Sequence, residues 1–154
     1  MFLENKIAIL LKKRKLTVAL AESCSGGLLS HRFTNIPGSS HYFKGAIVAY
    51  SNDIKSNILK IPSSVIRKYG AVSAPVAIAM AQNVRRLFKT DFGVGITGIA
   101  GPTGGTKDKP VGLTLIAIAT SQKYLCLEHK FKGTRFSVKQ QATTEALKML
   151  LKFM

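Results

Sequence analysis

The 154-residue chain has no tryptophan, two cysteines, three histidines and only seven acidic residues, and each shortage narrows its chemistry. Cys24 and Cys126 are too few for a disulfide framework. Neither cysteine has the spacing to His31, His41 or His129 that a zinc site requires, so no metal and no cofactor is expected. The apolar stretches are short and interrupted, none approaching the roughly 20 residues that span a bilayer, and no membrane association is expected. At the amino terminus Glu4 and Lys6 break the apolar residues, and the basic run Lys12 to Lys15 follows them instead of preceding them, unlike a secretory signal. A cytoplasmic location is the expectation.

The acid shortage is matched by 23 lysines and arginines, for a net charge of +16. Such a surface attracts anions: nucleic acid, an acidic membrane face, or a phosphorylated small molecule steered into a positive cleft. The blocks Lys12 to Lys15, Arg67-Lys68 and Arg85-Arg86 with Lys89 are scattered along the chain near the ends of predicted helices, where cations also suit the helix dipole. That scatter favours a solvated surface over a dedicated groove. No basic stripe is interleaved with aromatics, and the eight phenylalanines fall mostly at predicted core positions, so no specific nucleic-acid partner is expected.

With 46% apolar residues the chain can bury one core, and residues 1–154 are read as a single domain. Residues 2–15 carry Phe2, Leu3, Ile7, Leu10 and Leu11 at helical spacing. An uncharged strand follows at 17–21, then a helix at 26–33, a Pro37-Gly38 turn and a strand at 43–50. Ser51 or Asn52 caps a helix that buries Ile54, Ile58 and Leu59 and carries Lys55 in its first turn. Pro62 and Ser63 open a short helix closed by Gly70, and Pro75 starts a longer one with Val76, Ala79, Met80, Val84 and Leu87 inward. A buried strand at 92–97 runs into the glycine-rich loop Gly98 to Thr106. An antiparallel pair at 111–120 and 124–131 and a final helix at 134–152 complete the chain. Helices alternating with short apolar strands predict a three-layer α/β/α domain with a mixed, mostly parallel sheet and helices on both faces.

In such a sheet, ligands bind where parallel strands end. The polar clusters of this sequence follow strands: Ser23-Cys24-Ser25-Gly26-Gly27 after the first, Tyr50 to Lys55 after the second, Thr97 and Gly98 with the glycine loop after the third. Glycines at the first turn let a ligand approach the backbone, and N–H groups around Ser25 to Gly27 are candidates for an oxyanion hole. Ser23, Cys24 and Ser25 are all candidate nucleophiles or anion clamps, and the simplest alternative is that they cap the helix. A serine becomes nucleophilic beside a base, and a lysine kept neutral by burial and by neighbouring positive charge is such a base. The glycine loop lacks the Gly-Lys-Ser/Thr ending of a P-loop and is no dinucleotide fingerprint.

Taken together, Ala21 to Gly27, Pro37 to Ser40, Tyr50 to Asn52 with Lys55, Gly70 to Ser73, Thr97 to Pro102 with Gly104-Gly105, Lys109 to Gly112, and Gly133 with Arg135 resemble the CinA carboxy-terminal domain family, in the stand-alone form known as nicotinamide mononucleotide deamidase. The blocks lie in order over nearly the whole chain. The resemblance implies a metal-free serine amidohydrolase of pyridine-nucleotide recycling that converts nicotinamide mononucleotide to nicotinate mononucleotide and ammonia. It makes Ser23 the nucleophile, Lys55 its base and Tyr50 a residue that orders the proton transfers. The expected substrate-binding set is Ser25, Gly26, Gly27, Asn52, Thr97, Gly98 and Arg135, with the planar fork of Arg135 suited to a phosphate.

Three positions depart from the family's usual pattern: Ser25 replaces Thr, Ala74 replaces Glu, and Thr134 replaces an acidic residue. Two-domain members add a molybdopterin-binding-like domain with no counterpart in this sequence, so the expected activity is that of the carboxy-terminal domain alone. The expected partner is a small nucleotide substrate, and a homo-oligomer is the expected state. The competing readings are a nucleotide-binding domain without chemistry and a competence-related protein associated with nucleic acid.

Overall fold

A computed structural model of the chain describes residues 2–154. Eleven regular elements follow one another: α1 (Leu3–Arg14), β1 (Val18–Glu22), α2 (Leu28–Thr34), β2 (Phe43–Val48), α3 (Asn52–Asn57), α4 (Ser63–Tyr69), α5 (Ala74–Phe88), β3 (Phe92–Gly98), β4 (Leu113–Ala119), β5 (Tyr124–Lys130) and α6 (Arg135–Phe153). A single turn of 3-10 helix at Ser39–His41 leads into β2. The strands form one sheet in the order β2-β1-β3-β4-β5. β1 pairs in parallel with both β2 and β3, while β4 runs antiparallel to β3 and to β5. Four of the five strands therefore point the same way, and the fold class read from the sequence holds.

The period-two alternation of the strands sorts their side chains onto two helical layers. Val18 and Leu20 of β1, Val94 and Ile96 of β3, and Ile116 and Ile118 of β4 pack with Ile7 and Leu11 of α1, Leu29 of α2, and Val138, Ala142 and Leu147 of α6. Ala19 and Ala21 face the opposite way, onto Val76, Met80 and Val84 of α5. Residues 115, 117 and 119 of β4 meet Ala77 and Ala81 of the same helix.

The approach of α5 to the sheet depends on two missing side chains. A Cβ on Gly95 would lie 2.5 Å from the Ala77 carbonyl oxygen and 2.8 Å from the Ala81 nitrogen, and one on Gly93 would lie 2.0 Å from the Ala81 oxygen. These obstacles are helix backbone, so the helix itself must move. We expect Gly95→Ala to lower unfolding stability by about 3 kcal/mol, the upper range for overpacking a tight core, measurable by urea titration.

Two apolar assignments differ from the sequence reading. Ile54 and Ile58, expected inside, are 36% and 43% exposed, and the buried residue of α3 is Lys55. The six-residue helix turns its lysine inward because two carbonyl oxygens and the Ser23 hydroxyl wait there as hydrogen-bond partners, while Leu59 and Ile61 beyond it supply the apolar anchor. Leu87 is also exposed, since Phe88 takes the inward course and its ring covers Gly45. Of the phenylalanines only Phe33 and Phe92 are fully buried, and Phe2 and Phe136 are exposed.

Candidate active site

Because β2, β1 and β3 are adjacent and parallel, the segments that follow them converge on one edge of the sheet, and the chain leaves β1 in one direction for β2 and reaches β3 on the other side. That reversal opens a crevice beside the end of β1. A cleft of about 300 Å³ lies there, at the small end of the range for ligand pockets, and its lining includes Ser23, Tyr50, Asn52, Lys55, Thr97 and Arg135.

The turn carrying Ser23 is fixed at both ends. The Ser23 amide donates to the Ile96 carbonyl at 2.9 Å, holding the turn to β3, and the Ser23 carbonyl accepts from the Gly26 amide at 3.1 Å. Gly26 and Gly27 then pass through φ +62° and +96°, a pair of left-handed conformations that only glycine adopts without strain, so α2 begins at Leu28 and not at Gly26. The helix has no capping side chain at its own N-cap. Glu22, the fully buried last residue of β1, serves instead: its carboxylate accepts from the amides of Gly27, Leu29 and Ser30 at 3.1, 3.0 and 2.8 Å, and from the Ser30 hydroxyl at 2.5 Å. The charge faces the positive end of the helix and satisfies its unpaired donors. Sequence reasoning gave Glu22 no role, although an acid closing an apolar strand just before an uncapped helix is a readable signal.

Lys55 arrives from the other side. Ser51 caps α3 by accepting from the Ile54 amide at 3.2 Å, which sets the helix at the end of β2. The Lys55 side chain is 1% exposed. Its Nζ lies 3.0 Å from Ser23 Oγ, 2.7 Å from the Ala49 carbonyl oxygen and 3.4 Å from that of Tyr50. Among the described residues no carboxylate stands within ion-pair distance of it. Burial without a counter-charge disfavours the ammonium and pushes the Lys55 pKa below its ordinary 10.5.

The neighbouring thiol is shifted the other way. Cys24 is buried, and loss of solvation raises its pKa to about 11, with Glu22 adding to the rise and Lys55 and Lys139 opposing it. A thiol so far from ionisation is a poor nucleophile at neutral pH. Of the three candidates in the turn, Ser23 alone touches a base. Ser25 is completely buried, its Oγ has no partner, and it does not line the cleft.

The other expected site residues are placed as follows. Thr97 is buried at the end of β3 and donates from Oγ1 to the Ala71 carbonyl at 2.9 Å, tying the α4–α5 connection to the cleft wall, and Gly98 follows it in the lining. Asn52 lines the cleft from the first turn of α3. Tyr50 meets Lys55 through its main-chain carbonyl only, while its exposed hydroxyl accepts from Arg135 Nη2 at 2.8 Å. Arg135 also donates from Nη1 to the Gly101 carbonyl at 2.8 Å, so its two outer nitrogens bridge the glycine loop to the Tyr50 ring across the rim. Gly26 and Gly27 stand outside the cleft lining, and their amides are engaged by the Ser23 carbonyl and the Glu22 carboxylate, which removes both as oxyanion donors. The Cys24 amide makes no main-chain hydrogen bond, and Cys24 lines the cleft, so it replaces them as the candidate donor.

Comparison with known proteins places the chain. The profile of the CinA C-terminal domain matches residues 1–154. A CinA-like protein of Syntrophus aciditrophicus is 48% identical over 153 residues, covering 99% of this chain and 36% of the relative. A CinA-like protein of Koribacter versatilis is 47% identical over 150 residues, covering 97% of this chain and again 36% of the relative. The chain thus spans about a third of the length of these relatives. Among solved structures, the competence/damage inducible protein CihA from Agrobacterium tumefaciens superposes with a TM-score of 0.95 at 34% identity, covering 97% of this chain and 92% of that one. With a match from end to end and the same fold at substantial identity, this chain belongs to the CinA C-terminal domain family.

Proposed function

We propose that the protein is a serine amidohydrolase that hydrolyses the carboxamide of nicotinamide mononucleotide, giving nicotinate mononucleotide and ammonia. The observation that carries the reading is the 3.0 Å contact between Ser23 Oγ and the buried, unpaired Lys55 Nζ. A neutral amine has two N–H donors and one lone pair. The Ala49 and Tyr50 carbonyls take the two donors, which leaves the lone pair for the hydroxyl hydrogen of Ser23.

In the reaction, Ser23 Oγ bonds to the amide carbon while its proton passes to Lys55 Nζ. The carbonyl oxygen becomes an oxyanion, for which the Cys24 amide, on the residue after the nucleophile and without a main-chain acceptor, is the nearest donor at the cleft. As the tetrahedral species collapses, the C–N bond breaks and the Lys55 ammonium protonates the departing nitrogen, which leaves as ammonia. Water then attacks the Ser23 ester with neutral Lys55 as its base; as that tetrahedral species collapses the carbon–Oγ bond breaks, the Lys55 ammonium returns its proton to Ser23 Oγ, and nicotinate mononucleotide departs. Lys55 ends each cycle as it began.

The reaction class rests on the Ser23–Lys55 pair, and the substrate on the family resemblance. Arg135 and the Thr103 and Gly104 amides, which have no acceptor on the chain, suit a phosphate at the mouth of the cleft. This reading makes the protein a cytoplasmic enzyme, acting as a homo-oligomer. Its test is ammonia release from nicotinamide mononucleotide by wild-type protein beside Cys24→Ala. Cys24→Ala should retain turnover within about threefold, in keeping with a protonated thiol that only packs. Loss of turnover in that variant alone would transfer the nucleophile to the thiol.

A further inference from the structure

Nine of the 23 lysines and arginines, dispersed along the sequence, are brought by the topology to one edge. The helices α1, α2, α5 and α6 run back against the strands, so their C-termini collect at the amino edge of the sheet, at the end remote from the cleft. α1 ends in the basic run 12–15 directly before β1, and α5 ends with Arg86 and Lys89 directly before β3. Val18 pairs with Phe92, and Thr17 donates to Asp91 from both its amide and its hydroxyl at 2.8 Å, so these two basic ends are neighbours. Lys44 opens β2 on one flank. On the other, Lys123 in the β4–β5 hairpin lies 4.8 Å from the Phe153 ring at the end of α6, where Lys152 is exposed. Arg14 donates to the Met154 carbonyl and closes the ring of contacts.

Acids do not follow. Of the seven in the chain Asp91 stands at this edge, already held by Thr17, whereas Glu22, Asp53 and Asp108 lie toward the cleft, Glu4 begins the helix that the basic run ends, and Glu128 and Glu145 lie within β5 and α6 beside Lys130 and Lys148. Compensation of the helix dipole needs one or two cations per terminus, and α1 alone supplies four.

We propose that this basic edge is a binding face for duplex nucleic acid, contacted through its phosphates without regard to sequence. Five strands at about 4.8 Å spacing make a rigid row about 19 Å long. Duplex DNA carries one charge per about 1.7 Å of axis, so such a row faces roughly five phosphates on the accessible side. A rigid array matches a fixed lattice of phosphates, whereas a fluid lipid surface calls for no such order. Among the described residues the helices present their C-termini at this edge and the β4–β5 hairpin closes in a short turn, so no element is long enough there to enter a groove and read bases. The face is independent of the amidohydrolase reading, since the cleft lies at the other end of the strands.

The test is fluorescence anisotropy of a labelled 30-base-pair random duplex with the full chain across a salt series. Two charge-matched triple variants decide it. Lys13→Glu, Arg86→Glu and Lys123→Glu alter the basic edge, and Lys68→Glu, Lys107→Glu and Lys132→Glu alter other exposed positions; each set lowers the net charge from +16 to about +10. We expect wild-type affinity to fall with salt at a logarithmic slope of about −4 to −5. The edge triple should weaken binding about tenfold or more at about 0.1 M salt, with the other triple within about threefold of wild type. Equal losses in both triples, which net charge alone would give, overturn the proposal, as does a wild-type slope near zero. Vesicles of phosphatidylserine and phosphatidylcholine form the comparison arm: edge-dependent vesicle binding without duplex binding overturns it in favour of a membrane.

Discussion

Replacing Ser23 with alanine is expected to reduce ammonia release from nicotinamide mononucleotide by about 10⁴-fold or more, as loss of the nucleophile does in hydrolases that work through a covalent ester. The fold should hardly register the change. Ser23 is nearly buried, but its main-chain bonds to Ile96 and Gly26 do not involve the side chain, and Lys55 keeps its two carbonyl partners when the hydroxyl is gone. The stability cost is therefore that of a single hydrogen bond, about 1 kcal/mol. Ammonia measured continuously at saturating substrate, beside a urea titration of the same sample, separates loss of chemistry from loss of structure. A variant that unfolds no earlier yet retains a tenth of wild-type turnover contradicts the assignment.

Lys55→Met is the second substitution with a large expected effect, and it moves activity and stability in different directions. Methionine fills nearly the same volume and supplies no base, so turnover should fall about 10³-fold. Stability depends on the direction of the Lys55 shift. In the unfolded chain the lysine titrates at its ordinary 10.5, and burial lowers that value in the fold. Below the folded value both states are charged, and the fold bears the full cost of an ammonium without a counter-charge. As the pH rises from the folded value to 10.5, the unfolded state holds more protons than the native one and stability climbs.

At neutral pH, Lys55→Met should therefore unfold no earlier than wild type, the relief of desolvation offsetting the donors lost to Ala49 and Tyr50. Its stability curve should also lack the alkaline rise. The activity profile carries the same signature: wild-type kcat/KM should increase with pH and level off once Lys55 is neutral, and the residual activity of the variant should be flat across that range. A wild-type profile that falls as the pH rises through this range contradicts a lysine base.

Much of this site is legible in the sequence because polar residues follow apolar strands at three points, and parallel strands bring three such points together. The placement of Ser23, of the Tyr50 to Lys55 segment and of Thr97 follows from that rule, and the parallel pairing of β1 with β2 and β3 bears it out. The orientation of α3 does not follow. Ile54 and Ile58 repeat at helical spacing and draw the eye to an apolar face, whereas a six-residue helix is turned by its best hydrogen bonds, and those belong to Lys55. The bridge from Arg135 to Tyr50 and Gly101 joins residues 85 and 34 positions apart and has no local signal. The fate of the Gly27 amide depends on Glu22, a side chain whose reach to the helix is invisible until the turn is built. The basic edge is hidden for a related reason: separation along the chain conceals proximity when α1, α5 and α6 end at the same edge.

The central claim is that Ser23 Oγ forms the covalent bond to substrate. Acid quenching of wild-type protein during turnover of nicotinamide mononucleotide, followed by proteolysis and peptide mass mapping, tests it most directly. The account predicts a nicotinate mononucleotide ester on Ser23, absent from Ser23→Ala. The same adduct on Cys24, or undiminished turnover by Ser23→Ala, would contradict it.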